Sequence, residues 1–423
     1  MRAAVTAFFR FALRIFFRRI ELLGLERVPR DGAVIFAVNH PNGLVDPLFL
    51  LCFAPKPVSF LAKAPLFGYP IIGWIVKAFD AIPVYRKQDN TTGSNAETFG
   101  RSRALLQRGG SIAIFPEGTT HDDPRLRQLK TGAARIALGA NVPSLTVVPT
   151  GIYYTAKHVF RSSALVVFGE PLHVKPLVAE GEPPAEDVEQ LTDAIDDGLD
   201  AVTLQADSHA ALDLIARAED IFTADDEQPL AQEFDLRRRF TEGYHYLRTH
   251  DPARLRKLEA LIAQFEAELR RARLDVHELR PDVDAWRIAR VLVLLPLAIL
   301  GGIVSYPAYR LVAFLSQRLS KGEGNMIATM KFLAALAFYP LTYLAVAILV
   351  GVRCGWLYGV LTGIALPILG YIALYVAEEI DDVIGVTRAI VHRVFRRYGH
   401  TQLVTQREAI RDEMLNVARE MSG

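Results

Sequence analysis

The chain has 423 residues, of which 51% are hydrophobic and 22% charged, with a formal net charge of +1. A chain of this length can bury one sizeable core and carry a second module, and its positive mean hydropathy is high for a purely soluble enzyme. Only two cysteines occur, Cys52 and Cys354, which argues against a disulfide framework and a cysteine-built metal centre.

The near-neutral total hides an asymmetry. Residues 1–178 hold 22 Lys and Arg against 11 Asp and Glu, a net +11. Residues 179–285 hold 12 against 27, a net −15, and the remainder 14 against 9, a net +5. A basic first half suits a phosphate-bearing partner. It lacks a clustered Lys/Arg run interleaved with aromatics, so no nucleic-acid partner is expected.

In chain order, residues 1–30 open with Arg10, Arg14 and Arg18 at four-residue spacing beside Phe9, Leu13, Phe16 and Ile20. Arginines within the apolar run argue against a signal peptide and a spanning helix. The pattern predicts a basic amphipathic helix at a membrane interface, the alternative being a helix packed on the protein's own core.

Residues 31–178 alternate short apolar runs with helical stretches. Ala33–Val38, Ser111–Phe115, Leu145–Pro149 and Leu165–Phe168 read as buried strands, with Asn95–Arg108 and Lys130–Gly139 as helices between them. The fold class expected is α/β, a mixed sheet flanked by helices, followed by a helical arm and a C-terminal helical membrane region. After a Pro- and Glu-rich stretch near residue 180, residues 179–285 read as an acidic helical arm. Its coiled-coil-like seam runs through Leu255, Leu258, Ile262, Phe265, Leu269, Ala272 and Val276.

Residues 286–380 contain three apolar blocks, 291–315, 327–352 and 355–376, each long enough for a bilayer core of roughly 30 Å. Basic residues flank the first block on both sides and follow the last, which three full spans cannot place on one side of a membrane. The sequence therefore predicts a re-entrant first block, a true hairpin with Arg353 and Cys354 at its tip, and a basic cytoplasmic tail helix over 381–423. An integral membrane protein with its catalytic domain facing the cytoplasm follows.

Four turns carry the chemistry. His40 follows a predicted strand, with Asp46 after five intervening residues, the residue types of a general base and the carboxylate that orients it. Arg86 ends the run Ala81–Arg86 and suits bidentate phosphate contact. Phe115-Pro116-Glu117-Gly118-Thr119 follows a second strand; Glu117 can accept hydrogen bonds from a polyol, and Gly118 lets substrate approach backbone N–H groups. Lys130 stands before a helix, a natural phosphate seat, and Val148 to Gly151 form the fourth turn. In an open α/β sheet such turns converge at the strand C-termini. His121 and Asp122 read as a supporting pair, Arg161 as a further phosphate candidate, and Lys63 as able to meet donor phosphates or a headgroup. No Gly-x-Ser-x-Gly elbow, Walker A loop or dinucleotide turn occurs.

In this order the four pieces resemble the sequence blocks of the glycerolphosphate acyltransferase superfamily, the lysophosphatidate acyltransferase-like enzymes. His40 and Asp46 match the first block, Arg86 the second, Phe115 to Thr119 the third and Val148 to Gly151 the fourth. Two departures stand out: five residues separate His40 from Asp46 where four are usual, and Thr120 stands where a basic residue is common. Both resemble the fungal-type glycerol-3-phosphate or dihydroxyacetone-phosphate acyltransferases and their bacterial relatives. So do Lys157-His158-Val159-Phe160-Arg161-Ser162 and Arg239-Phe240-Thr241-Glu242-Gly243-Tyr244.

The resemblance implies a membrane-bound enzyme moving a fatty acyl group from acyl-CoA or acyl-ACP to a hydroxyl of glycerol 3-phosphate or 1-acylglycerol 3-phosphate. It implies no metal, no cofactor and no acyl-enzyme. His40 would be the base and Asp46 its orienter, with backbone N–H groups near Gly118 stabilising the oxyanion. Arg86, Glu117, Gly118, Thr119, Lys130 and Arg161 would hold the substrate. The partners expected are membrane lipids, the thioester donor and the glycerol-phosphate acceptor, and a homo-oligomer is compatible with the pattern. The alternative is a non-catalytic membrane scaffold or lipid-binding protein with a vestigial acyltransferase domain.

Overall fold

A computed structural model describes residues 2–422 apart from Tyr69, 86–94, His158, 177–181, 225–228, 280–284, 321–323 and Arg396. The chain divides into two compact units, residues 1–208 with 322–329, and residues 209–321 with 330–423.

The first unit is a mixed sheet covered by helices. Its strands are β1 (Arg19–Leu23), β2 (Ala33–Val38), β3 (Val58–Lys63), β4 (Ile82–Val84), β5 (Ser111–Ile114), β6 (Leu145–Tyr154), β7 (Ser163–Phe168) and β8 (Leu172–Val174). They lie in the order β1-β7-β6-β2-β5-β3-β4, with β8 pairing β6. β2 sits between β5 and β6 and is parallel to both, while β6 meets β7 and β8 antiparallel. Every residue of β2 is buried, the continuous apolar pattern of a strand covered on both faces. The helices are α1 (Arg2–Phe16), α2 (Val45–Phe53), α3 (Pro70–Ala78), α4 (Asn95–Gln107), α5 (Gly132–Ala140) and α6 (Ala185–Asp200).

One expected boundary changes here, and α1 shows two faces. It buries Val5, Phe9, Ala12, Leu13 and Phe16 against its own unit, Phe9 meeting Phe79. Arg10 Nε donates to the Cys52 carbonyl at 3.0 Å. Its other face leaves Phe8 and Phe11 exposed. The unit also runs past residue 178 to Ser208. α6 and the turn after it close over β6, where a Cβ on Gly151 would overlap the Val202 carbonyl.

The second unit is helical: α7 (His209–Thr223), α8 (Leu230–His250), α9 (Pro252–Ala272), α10 (Ala285–Leu319), most of α11 (Gly324–Cys354), α12 (Trp356–Phe395) and α13 (Arg397–Ser422). Asp251 caps α9 by accepting from the Arg254 amide at 3.0 Å. The predicted seam is real, but it closes a core shared by α7, α8, α9 and α13 instead of forming a free arm. The presumed tail helix belongs to that core, because Leu403, Ile410, Met414 and Val417 recur on one face of α13 and are buried.

Among the described residues, three helices are long and apolar enough to cross a membrane: Ala285–Leu319, Ile327–Cys354 and Trp356–Gly385. The first is one continuous helix through Pro296 and Pro307, so the expected dip and return does not occur. It runs antiparallel to α12, with Arg287 paired to Glu379 near one end and Gly301 against the Leu369 backbone further along. Small residues permit this close approach. The expected tip is present: Gly355, at φ 109°, separates α11 from α12 directly after Arg353 and Cys354.

Candidate active site

The C-terminal ends of β2, β5 and β6 meet above the sheet. β2 delivers Asn39 and His40, β5 delivers Phe115 to Glu117, and β6 runs on to Tyr153 and Tyr154. Asn39 fixes the β2 end to β6 in both directions: its Oδ1 accepts from the Ile152 amide at 2.7 Å, and its Nδ2 donates to the Ile152 carbonyl at 3.1 Å. The three ends surround a cavity of about 170 Å³ lined by His40, Glu117, His121, Tyr154, Lys157 and Gln205 among others.

His40 Nδ1 donates to Asp46 Oδ2 at 2.8 Å. The same oxygen accepts from the Asn42 amide at 2.7 Å, and Oδ1 accepts from the Tyr154 hydroxyl at 2.6 Å. Asp46 lies in the first turn of α2, fully buried, where a helix N-terminus favours negative charge. Burial pushes its carboxyl above the ordinary range, and the hydrogen bonds from His40, Tyr154 and Asn42 pull it back. Burial and the neighbouring Asp46 push the Tyr154 phenol well above its usual range, so the hydroxyl stays a donor. The His40 ring stacks on Phe115 with centroids 4.1 Å apart and planes 22° apart. Its Nε2 has no hydrogen-bond partner among the described residues, which leaves an oriented lone pair on a ring that lines the cavity.

Glu117 lines the same cavity and is held firmly in it. Its Oε1 accepts from the His40 amide at 3.1 Å; its Oε2 accepts from the Arg127 amide at 3.0 Å and from His121 Nε2. Buried and accepting three hydrogen bonds, it braces the β2 and β5 turns. His121 has that supporting role too, its Nδ1 accepting from the Asp123 amide at 3.1 Å.

Gly118, at φ 74°, gives its N–H to the Phe115 carbonyl at 2.9 Å, so that donor is not available to an oxyanion. A Cβ there would fall 2.5 Å from Lys130 Nζ, because the Lys130 side chain lies across the turn. Thr119 is half-buried beside it, its Oγ1 3.5 Å from the Thr120 carbonyl. Lys130 is exposed, and its amide ties to Pro116 at 2.8 Å two residues before α5 begins.

Arg161 is not brought to the cavity. It stands at φ 65°, and its Nη1 donates to the carbonyls of Arg14, Ile15 and Phe17 at 3.1–3.3 Å. Cations suit a helix C-terminus, and Arg161 closes that of α1. Arg86 lies outside the described residues.

Three side chains around the dyad escaped the sequence reading as individuals. Tyr154 is the second anchor of Asp46, and Lys157, mostly buried, bridges the Pro41 carbonyl and Asp122 at the cavity wall. Asn42 is buried in the His40–Asp46 turn, and neither of its side-chain polar atoms has a hydrogen-bond partner among the described residues. Nearness to a strand end was the available signal for Tyr154 and Lys157; nothing marked the Asn42 side chain.

Two family models match the chain. Residues 19–153 match the family described as Acyltransferase, and residues 215–422 match the Glycerol-3-phosphate acyltransferase 2 C-terminal domain. Glycerol-3-phosphate O-acyltransferase 1 of Saccharomyces cerevisiae is 27% identical over 79% of this chain and 59% of its own length. Glycerol-3-phosphate O-acyltransferase 2 of the same yeast is 30% identical over 60% of this chain and 38% of its own. A chloroplastic 1-acyl-sn-glycerol-3-phosphate acyltransferase of Arabidopsis thaliana is 30% identical over 37% and 44%. The crystal structure of the 1-acyl-sn-glycerophosphate acyltransferase PlsC from Thermotoga maritima matches with a TM-score of 0.34 and 22% identity, covering 47% of this chain and 82% of that one. The chain thus spans about three-fifths of the first yeast relative. It joins an acyltransferase-family domain over residues 19–153 to a glycerol-3-phosphate acyltransferase 2 C-terminal domain over residues 215–422.

Proposed function

We propose that the protein is a membrane-bound O-acyltransferase that moves a fatty acyl group from an acyl thioester to a hydroxyl of a glycerol-phosphate acceptor, with its catalytic unit facing the cytoplasm. The observation that carries this reading is the dyad: His40 Nδ1 on Asp46 at 2.8 Å, the carboxylate held by two further donors, and Nε2 without a partner among the described residues.

The acceptor hydroxyl attacks the thioester carbonyl while His40 Nε2 takes its proton. Asp46 stabilises the imidazolium that forms. The tetrahedral intermediate expels the thiolate, the C–S bond breaks, and His40 returns its proton to sulfur. No covalent acyl-enzyme is needed. Lys157, the mostly buried cation at the cavity wall, is the side chain this reading assigns to the acceptor phosphate, together with Arg86. Asn42, an unpartnered buried amide in the dyad turn, is the donor it assigns to the oxyanion. Glu117, Gly118, Thr119 and Lys130 keep the turn in shape. The branch resemblance favours an unacylated acceptor, glycerol 3-phosphate or dihydroxyacetone phosphate, over 1-acylglycerol 3-phosphate.

The test is a transfer assay on purified protein in nanodiscs, with labelled palmitoyl-CoA, palmitoyl-ACP and each of the three acceptors. Labelled product with one acceptor, lost in His40→Ala, is the expected result. Equal turnover in His40→Ala would overturn the mechanism. No product with any donor and acceptor pair would overturn the activity.

A further inference from the structure

The helical unit contains a recess unrelated to the His40 cavity; the two share no lining residue. It opens between α7, α8, α9 and α13, has a volume of about 270 Å³, and is walled by apolar side chains that include Leu214, Phe222, Leu258, Met414 and Met421. An apolar cavity of about 150 Å³ takes a benzene ring, so this one has room for most of a medium alkyl chain. Methionine walls adapt to flexible apolar guests.

Two polar side chains break the lining, Arg239 and Tyr244, both on α8. Neither has a hydrogen-bond or ion-pair partner among the described residues. The contrast with the adjacent arginines is informative. Arg237 donates to Glu219 from two nitrogens at 2.9 and 2.7 Å, and Arg238 pairs with Glu242 at 3.7 Å. Of three consecutive arginines, the one at the recess is the one left without an acid.

Gly243 stands on the same wall. A glycine inside a helix is less stable than alanine, and this one has no positive φ that would require it. A Cβ there would make only ordinary contacts, 3.8 Å to Met421 Sδ and 3.9 Å to Val417 Cγ1. The backbone gains nothing from the glycine; the recess gains space.

We propose that this recess is a binding site for a single-chain anionic amphiphile, its alkyl chain among the apolar walls and its head held by the Arg239 guanidinium and the Tyr244 hydroxyl. A carboxylate or a phosphate fits that pair, so the occupant is a free fatty acid or a lysophospholipid with a phosphate head. A neutral lipid has no use for the unpaired cation. A docked helix, about 10–12 Å across with its side chains, is too wide for the volume. The site does not depend on acyl transfer at His40.

The experiment uses the full chain in phosphatidylcholine nanodiscs and a photoactivatable diazirine analogue of palmitate, with the labelled peptides mapped by mass spectrometry. Label is expected in 236–247 and 414–421. Palmitate and lysophosphatidate should compete it away, hexadecanol about tenfold less well, since the head contact is charge-assisted. The better of the two anions is the natural class of occupant. Arg239→Gln should bring hexadecanol and palmitate to parity, and Gly243→Leu or Ala418→Leu, the second on the α13 wall of the recess, should remove the label while leaving thermal unfolding and acyl transfer intact. Label that persists in both filled variants, or hexadecanol competing as well as palmitate in the unaltered protein, would overturn the proposal. Two filling variants guard against one of them misfolding.

Discussion

In the catalytic unit, buried polar groups are gathered in excess around two carboxylates. Asp46 takes His40, the Asn42 amide and Tyr154, and Glu117 takes the His40 amide, the Arg127 amide and His121. In the helical unit, the buried carboxylate of Glu219 is met, among the described residues, by the Arg237 guanidinium alone, and the unit's recess is mostly apolar. The first arrangement fixes a proton acceptor in one orientation; the second neutralises a charge so that helices can pack. The same chemical group serves catalysis or cohesion according to whether its partners converge on an open cavity or close off a core.

The sharpest break of this comparison is His40→Ala. Removing the base should lower turnover by about 10²–10⁴, while the fold persists because the ring lies at a cavity edge. Initial rates and thermal unfolding of the same sample would separate the two effects. On the structural side, Arg237→Met should cost about 3–5 kcal/mol, because it leaves Glu219 buried without its cation. Burial already pushes the Glu219 carboxyl up and Arg237 pulls it back. Without Arg237 the folded-state pKa rises further above its unfolded value. Stability is then present at low pH and lost as pH rises through the folded value, so the variant should be closer to wild type at pH 4.5 than at pH 8. Glu219→Leu with Arg237→Met should recover most of the loss; failure to recover would mean that the arginine matters for packing instead.

Tyr154→Phe probes the convergence itself at smaller amplitude. The hydroxyl lowers the Asp46 pKa, so its removal should shift the acidic limb of the turnover profile to higher pH, with kcat down about tenfold for one lost charge-assisted hydrogen bond. An unmoved limb would reduce Tyr154 to a packing residue beside Phe17 and Phe49.

Why some of this was legible and some not follows from the range of each signal. β2 was read residue for residue because six consecutive apolar residues bounded by Gly32 and Asn39 have few other uses, and His40 with Asp46 lie six apart, within one turn and one helix start. Tyr154 reaches Asp46 from 108 residues away, and no local pattern announces such a partner. Arg161 lies away from the cavity for another reason. An arginine after a strand turn carries two meanings, and only the tertiary partner, here the carbonyls of α1, selects one. The re-entrant block was inferred from flanking charge, which constrains topology but does not break a helix; prolines within an apolar helix can be accommodated.

α13 supplies the mildest test of the difference between the units. Arg254, at the start of α9, reaches Glu413 and Glu420 on α13 at 2.6 Å each, and these hydrogen bonds hold the Glu413 carboxyl below its usual range. The pairs are partly exposed, so Arg254→Ala should lower stability by only about 1 kcal/mol at low salt, and by less in 0.5 M salt, since exposed charges are screened. In the wild type the two carboxyls shift in opposite directions, but each variant removes a cation that favours the ionised form, so both costs should be present at pH 7 and shrink in acid, that of Arg237→Met from the larger value. Urea titrations of both variants at pH 3.5 and pH 7, with and without 0.5 M salt, would separate the two pairs by amplitude and by salt sensitivity. A loss for Arg254→Ala that salt leaves unchanged would mean that Arg254 holds α13 by packing, as Leu403, Ile410, Met414 and Val417 do, and not by its charge.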